Sequence, residues 1–219
     1  MFQAFGVHGP ELTPVADLVI DVALVVLAFG FLITAPRSTR YDAALLGTMV
    51  VAVTALRVLM QPLPNVQPVT VAALLVGAQL GARRGVAFAI LVTLLSNMLI
   101  GDGWWTLFQA AGWSLVAVLG SRLSLIKNGD FNHGQLYLAA IGSAFLFGFI
   151  ASLSILTPAM SWTDFVIYLA HGIPFDTLHA LGNLAFAVWF GPFVYRHLGG
   201  LESSNTFEES VVEHHVING

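Results

Sequence analysis

The sequence contains no cysteine. Disulfides, thiolate metal sites and cysteine nucleophiles are thereby excluded. Charge is also scarce. Asp, Glu, Lys and Arg make up 9% of the chain, where a soluble domain carries about 25%. Such a chain cannot cover a water-facing surface, but it can cover one that faces lipid. Eight basic residues stand against twelve acidic ones, for a net charge of −4, and no basic run occurs. Nucleic acid is therefore not an expected partner. No Lys or Arg precedes Arg37, so the N-terminus does not read as a signal peptide, which needs a positive n-region. There is no G-x-x-x-x-G-K-[ST] loop, no H-E-x-x-H and no G-x-S-x-G. The chain is expected to be a non-enzyme that cannot drive transport with ATP by itself.

What is present is apolar: 57% of 219 residues. A membrane span needs about 20 mostly apolar residues. The sequence predicts seven, at Val15–Ala35, Tyr41–Met60, Val69–Ala82, Val86–Ile100, Trp104–Leu123, Leu136–Leu156 and Thr177–Tyr195. The third and fourth are short, and Gly81–Gly85 joins them as a tight helical hairpin. Arg37, Arg40, Arg83, Arg84, Arg122, Lys127 and Arg196 then all fall on one side. Basic residues mark the cytoplasmic side, which places the N-terminus outside and the C-terminus inside. Residues 199–219 form a polar, acidic tail that cannot bury a core and is expected to be disordered. His214 and His215 in it suggest a solvated tail before they suggest a metal. The expected organisation is an N-terminal segment with an accessory helix at 1–40, a membrane core at 41–198 and the tail at 199–219.

Three outer segments carry polar and aromatic residues. The first follows the second span and reads Gln61 to Thr70, with prolines at 62, 64 and 68. Prolines stiffen it and remove backbone donors, so Asn65 and Gln67 can present their amides in fixed positions. Arg57 stands just below; it either serves this loop or snorkels to the interface. The second segment runs from Ser96-Asn97 through Asp102 to Trp113. Trp105, Gln109 and Trp113 are four apart and share a helical face. Trp supplies a flat apolar surface and Gln a donor and an acceptor, which suits a planar ligand with heteroatoms. An aromatic belt at the lipid interface is the plainer explanation.

The third segment holds His171, Asp176, His179 and Asn183. The last three fall at i, i+3 and i+7 on one helical face. Polar groups inside a span are expensive and face the bundle interior. They contact a ligand, pack helices by hydrogen bonding, or, with His171, hold a metal in no recognised signature. Separately, Ala44, Thr48 and Ala52 form a stripe of small residues on the second span, a surface that another helix can approach closely.

The runs "PLPNVQPVT" (62–70), "SNMLIGDGWWTLFQAAGW" (96–113) and "FDTLHALGN" (175–183) resemble the S components of energy-coupling factor (ECF) vitamin importers. The resemblance extends over roughly Tyr41 to His197. It implies an all-α polytopic membrane protein with a six-helix S-component-like core, here with one extra N-terminal transmembrane or interfacial helix. It implies that outer loops cap a vitamin pocket and that 62–70 is the cap after the first core helix. Ala44, Thr48 and Ala52 would dock on a transmembrane T component that carries two cytoplasmic ATPases. The family pattern favours alanine where this chain has Thr48.

The expected function is a substrate-binding subunit in a prokaryotic cell membrane, with a vitamin as transported ligand and no permanent cofactor or metal. The expected binding residues are Arg57, Asn65, Gln67, Asn97, Trp105, Gln109, Trp113, His171, Asp176, His179 and Asn183. A cobalamin-type corrinoid, with His171 or His179 on cobalt, or riboflavin or another planar vitamin, would suit this lining. The alternatives are an intramembrane enzyme using Asp176, His179 and Asn183, and a scaffold that binds no ligand.

Overall fold

The computed structural model describes residues 2–6, 9–36, 39–127, 130–158 and 160–217, with side chains at 9–36, 39–40, 42–126, 131–158 and 160–189. Among the described residues there are six helices: α1 (Pro14–Thr34), α2 (Arg40–Leu59), α3 (Val69–Ile100), α4 (Trp104–Arg122), α5 (His133–Ser152) and α6 (Trp162–Ile217). Two small hairpins accompany them, β1 (Phe2–Gly6) with β2 (Gly9–Leu12), and β3 (Ile126–Lys127) with β4 (Asp130–Phe131). A 3-10 turn, Leu153–Ile155, follows α5. Among the described residues four stretches are long and apolar enough to cross a membrane: Pro14–Thr34, Asp42–Leu59, Val69–Ile100 and His133–Ile155. Large apolar side chains lie open along the outside, among them Val15, Leu18, Phe29 and Ile33 of α1 and Ile173, Leu181 and Trp189 of α6. Continuous exposed apolar surface of this kind needs lipid as its solvent. The protein is an all-α, multi-pass membrane protein.

Helix α3 is broken at Gly81, whose backbone (φ 83°, ψ 167°) is not helical and suits glycine. Beyond the break the chain folds back: a Cβ on Gly85 would stand 3.0 Å from the Cα of Gly77. Eight residues of unbroken helix would separate these positions by about 12 Å. The hairpin expected at Gly81–Gly85 is therefore present, with arms at 69–80 and 82–100, and the six helices contain seven helical segments.

The 69–80 arm runs parallel to α4 in close backbone contact. A Cβ on Gly77 would lie 2.8 Å from the carbonyl carbon of Ala117, and one on Gly120 would lie 2.8 Å from that of Leu74. Each glycine thus meets the residue three positions before the other, the reciprocal contact of a small-residue helix pair. The main core gathers around this pair, with Leu46, Val50 and Val53 of α2, Phe88 and Val92 of α3, Trp113 and Val116 of α4 and Ala139 and Ala140 of α5. Helix α1 packs outside it, setting Leu24 and Ala28 against Val86, Ala87, Ile90 and Leu94.

The two ends of the bundle differ chemically. At one, Arg83 donates to the Thr34 carbonyl, while Arg84 donates to that of Pro36 at 2.7 Å and pairs with Asp42 at 3.9 Å. At the other, Trp104 Nε1 donates to the Ser154 carbonyl at 3.0 Å, and Gly9 of the N-terminal hairpin abuts both residues. The Arg83–Arg84 turn and the connection between α1 and α2 thus share an end.

The last helix corrects the sequence reading. It begins at Trp162, fifteen residues before Thr177, so His171 to Pro174 are helical and not loop. A capping box starts it: Asp164 N donates to Ser161 Oγ at 3.1 Å, and Ser161 N donates to Asp164 Oδ2 at 3.3 Å. Its backbone continues to Ile217, through the segment expected to be a disordered tail, whose side chains lie outside the described residues.

Candidate functional site

Arg57, in the last turn of α2, is 2% exposed. The face that carries it inward is set by Leu46, Val50 and Val53 at helical spacing below it. Its Nη1 donates to Ser96 Oγ and to Asn97 Oδ1 at 2.8 Å, its Nε to Gln67 Oε1 at 3.1 Å and its Nη2 to Gln109 Oε1 at 3.2 Å. The guanidinium carbon lies 4.8 Å from the centre of the Trp113 ring, a cation–π distance. Every acceptor is neutral.

Asn97, fully buried, organises the network. Its Nδ2 donates to Gln109 Oε1 at 2.9 Å and to Thr106 Oγ1 at 2.7 Å, and Thr106 donates to Asp102 Oδ1. Asp102 also accepts from Gly103 N at 2.8 Å and faces Asp21 of α1. Arg57 is thus linked to a carboxylate only through two neutral side chains.

On the other side, Trp113 Nε1 donates to Thr70 Oγ1 at 3.1 Å, and the same hydroxyl lies 2.9 Å from His179 Nε2. Phe147 of α5 stacks on Trp113 at 4.4 Å and meets the His179 ring edge-on at 5.4 Å. Asn183, with no exposure, donates to the Ala140 carbonyl at 3.0 Å, while its Oδ1 is buried without a partner, as are Thr54 Oγ1 and Ser143 Oγ. The cluster draws on α2, both arms of α3, α4, α5 and α6, and the loop 60–68 covers it.

Residues 37–197 match the profile of a family described as a family of unknown function, DUF6580. The chain belongs to the DUF6580 family. The DUF6580 match spans α2 to α6 as far as residue 197, so the matched region holds every member of the Arg57 cluster and leaves out α1 and the N-terminal hairpin. No curated protein and no solved structure matches the chain.

In this DUF6580 chain the sequence-predicted residues divide. Arg57, Gln67, Asn97, Gln109, Trp113 and His179 come together in one hydrogen-bonded and ring-stacked group. Asn183 is buried on the same helix as His179, one turn further on. Asn65 is exposed in the covering loop, in left-handed backbone (φ 57°). The Trp105 ring lies over Gly103. His171 is exposed, and the half-buried Asp176 rests against Gly148 of α5, where a Cβ would be 2.6 Å from its Cγ. Asp176, His179 and Asn183 therefore engage three different partners. Among the described residues no group of three His, Asp or Glu side chains is placed to hold a metal.

Sequence reasoning did not single out Thr70, Ser96, Thr106 or Phe147. Thr70 and Thr106 each begin a helix just after a loop, a place where a hydroxyl is usually a cap. Ala44, Thr48 and Ala52 all lie exposed on the face of α2 opposite Arg57. A positive, flat-walled, amide-rimmed cluster of this kind can bind and orient a small molecule.

Proposed function

We propose that this protein is the substrate-binding membrane subunit of an ECF-type importer, capturing a small vitamin-like solute at the outer face of a prokaryotic cell membrane. The observation that carries the reading is the Arg57 cluster: polar side chains from five helical segments, with Phe147 of a sixth against them, buried beneath a proline-rich loop at the end of the bundle away from the Arg83–Arg84 turn. Buried polar groups in membrane helices mark ligand or ion paths. The family unit at 37–197 coincides with the six-helix core that the resemblance implies. The exposed small-residue stripe of α2 is a free helix-docking surface, suited to a transmembrane T component bearing two ATPases. Basic turns on the cytoplasmic side leave the C-terminus inside.

The lining favours a flat vitamin over a corrinoid. Cobalt would need a free imidazole, but His179 Nε2 is engaged by Thr70 and His171 is exposed on α6. The test is mass spectrometry of small molecules retained by the purified protein, followed by uptake into vesicles that also hold an ECF module. One retained molecule per chain, taken up only with the module and ATP, is the expected result. Conversion of the retained molecule by the chain alone would overturn the reading.

A further inference from the structure

We infer that the solute carries an anionic oxyacid group, a carboxylate or a phosphate, which binds the Nε–Nη2 edge of Arg57 in place of the Gln67 and Gln109 side-chain oxygens. This deepens the solute-binding reading and rests on it. Arg57 is 2% exposed, and a buried charge lacking an opposite charge is strongly unfavourable. Among the described residues the one ion pair is Arg84 with Asp42, at the far end of the bundle. The cluster thus holds a full positive charge and no direct counter-charge.

The two ends of the guanidinium are held differently. Nη1 is fixed by Ser96 and Asn97, neighbours on one helix, and Ser96 Oγ is itself tied to the Val92 carbonyl at 2.5 Å. Nε and Nη2 meet two oxygens from separate pieces of chain, Gln67 of the covering loop at 3.1 Å and Gln109 of α4 at 3.2 Å. Two oxygens side by side on that edge are what a bidentate carboxylate or phosphate supplies in one group. Both amides can leave without being stranded. Gln109 Oε1 keeps its bond from Asn97 at 2.9 Å, and Gln67 belongs to a loop that can lift without unwinding a helix. The amides act as placeholders for the anion, and the loop that carries one of them is the door.

The test uses the full chain in lipid nanodiscs. Thermal unfolding is followed in acetate and in inorganic phosphate, each against chloride at equal ionic strength and pH. Either anion should raise the unfolding temperature saturably, and the one that does so identifies the group. Arg57→Gln should weaken that binding at least tenfold. Gln67→Ala should tighten it severalfold, because an internal competitor for Nε is gone; a merely structural glutamine would give no gain. If Arg57→Gln does not fold, Gln67→Ala decides: unchanged or weaker anion binding overturns the inference. No response to either anion in the parent also overturns it. A neutral molecule retained one per chain would refute the anionic class while leaving the solute-binding reading intact. A clear anion response without module-dependent uptake would refute the importer instead.

Discussion

Thr70→Val tests whether the buried cluster is wired as described. The Thr70 hydroxyl accepts from Trp113 Nε1 at 3.1 Å and pairs with His179 Nε2 at 2.9 Å. Valine keeps the shape and removes the hydroxyl. Trp113 and His179 are 1% and 4% exposed, so water cannot replace the lost partner. Single interhelical hydrogen bonds in membrane proteins contribute about 0.6 kcal/mol on average and up to about 1.7. Two such bonds put the loss at about 1–3 kcal/mol. Stability would be measured by denaturant titration in mixed micelles, following tryptophan emission and helical ellipticity together. A double-mutant cycle with Trp113→Phe separates this bond from lost packing, with an expected coupling of about 0.5–1.5 kcal/mol for residues in contact. Strictly additive single variants would show that Thr70 does not bridge the two rings, and the α3–α4–α6 connection would have to be redrawn.

Gly120→Leu should prevent the close approach of α4 to the 69–80 arm, because even a Cβ meets the Leu74 carbonyl carbon at 2.8 Å; overpacking costs typically about 1–3 kcal/mol or more, and a folded variant of parental stability would sink that account. Ala52→Trp should abolish uptake through an ECF module while leaving retention of the solute by the isolated chain unchanged, and uptake at the parental rate would show that the stripe faces only lipid. The chain has no cysteine, so Asn65→Cys and Asn132→Cys are clean topology probes. An impermeant thiol reagent on intact cells should label position 65 and spare 132, and the reverse pattern would invert the orientation.

The membrane made much of the fold legible. Long apolar runs and the glycine break at Gly81 follow from rules that lipid imposes; among the described residues four stretches are long and apolar enough to cross a membrane, and the break stands where the pattern suggested. Where lipid does not dictate the answer, the sequence was less informative. The start of α6 depends on Ser161 and Asp164, a local capping signal inside a stretch too polar to resemble a span. At the site, Gln109 and Trp113 were legible as one helical face, yet Trp105 on the same face turns back over Gly103. Helical spacing tells which side a residue leaves from, not where a long side chain ends. Arg57 read equally well as a snorkelling cation. Its burial depends on Ser96, Asn97, Gln67 and Gln109, distant in the chain, and no local pattern reports their meeting. The Asp176, His179 and Asn183 set shared a face on paper, but neighbours on α3 and α5 separate their roles.

The short arm of α3 has a consequence for the membrane itself. Residues 69–80 make a helix about 18 Å long at about 1.5 Å per residue, against about 30 Å of hydrocarbon. Starting from the basic turn, this arm stops near mid-depth, so the segment 60–68 descends well below the headgroups to meet it. Irregular backbone at that depth is tolerated only where protein or water surrounds it. Three of its positions are prolines with no N–H, and the amides of Gln61, Leu63 and Val66 close turns onto Val58, Met60 and Leu63. The exposed residues 61–65 then border a hydrated funnel. On this geometry the rate at which the loop opens should depend on acyl-chain length.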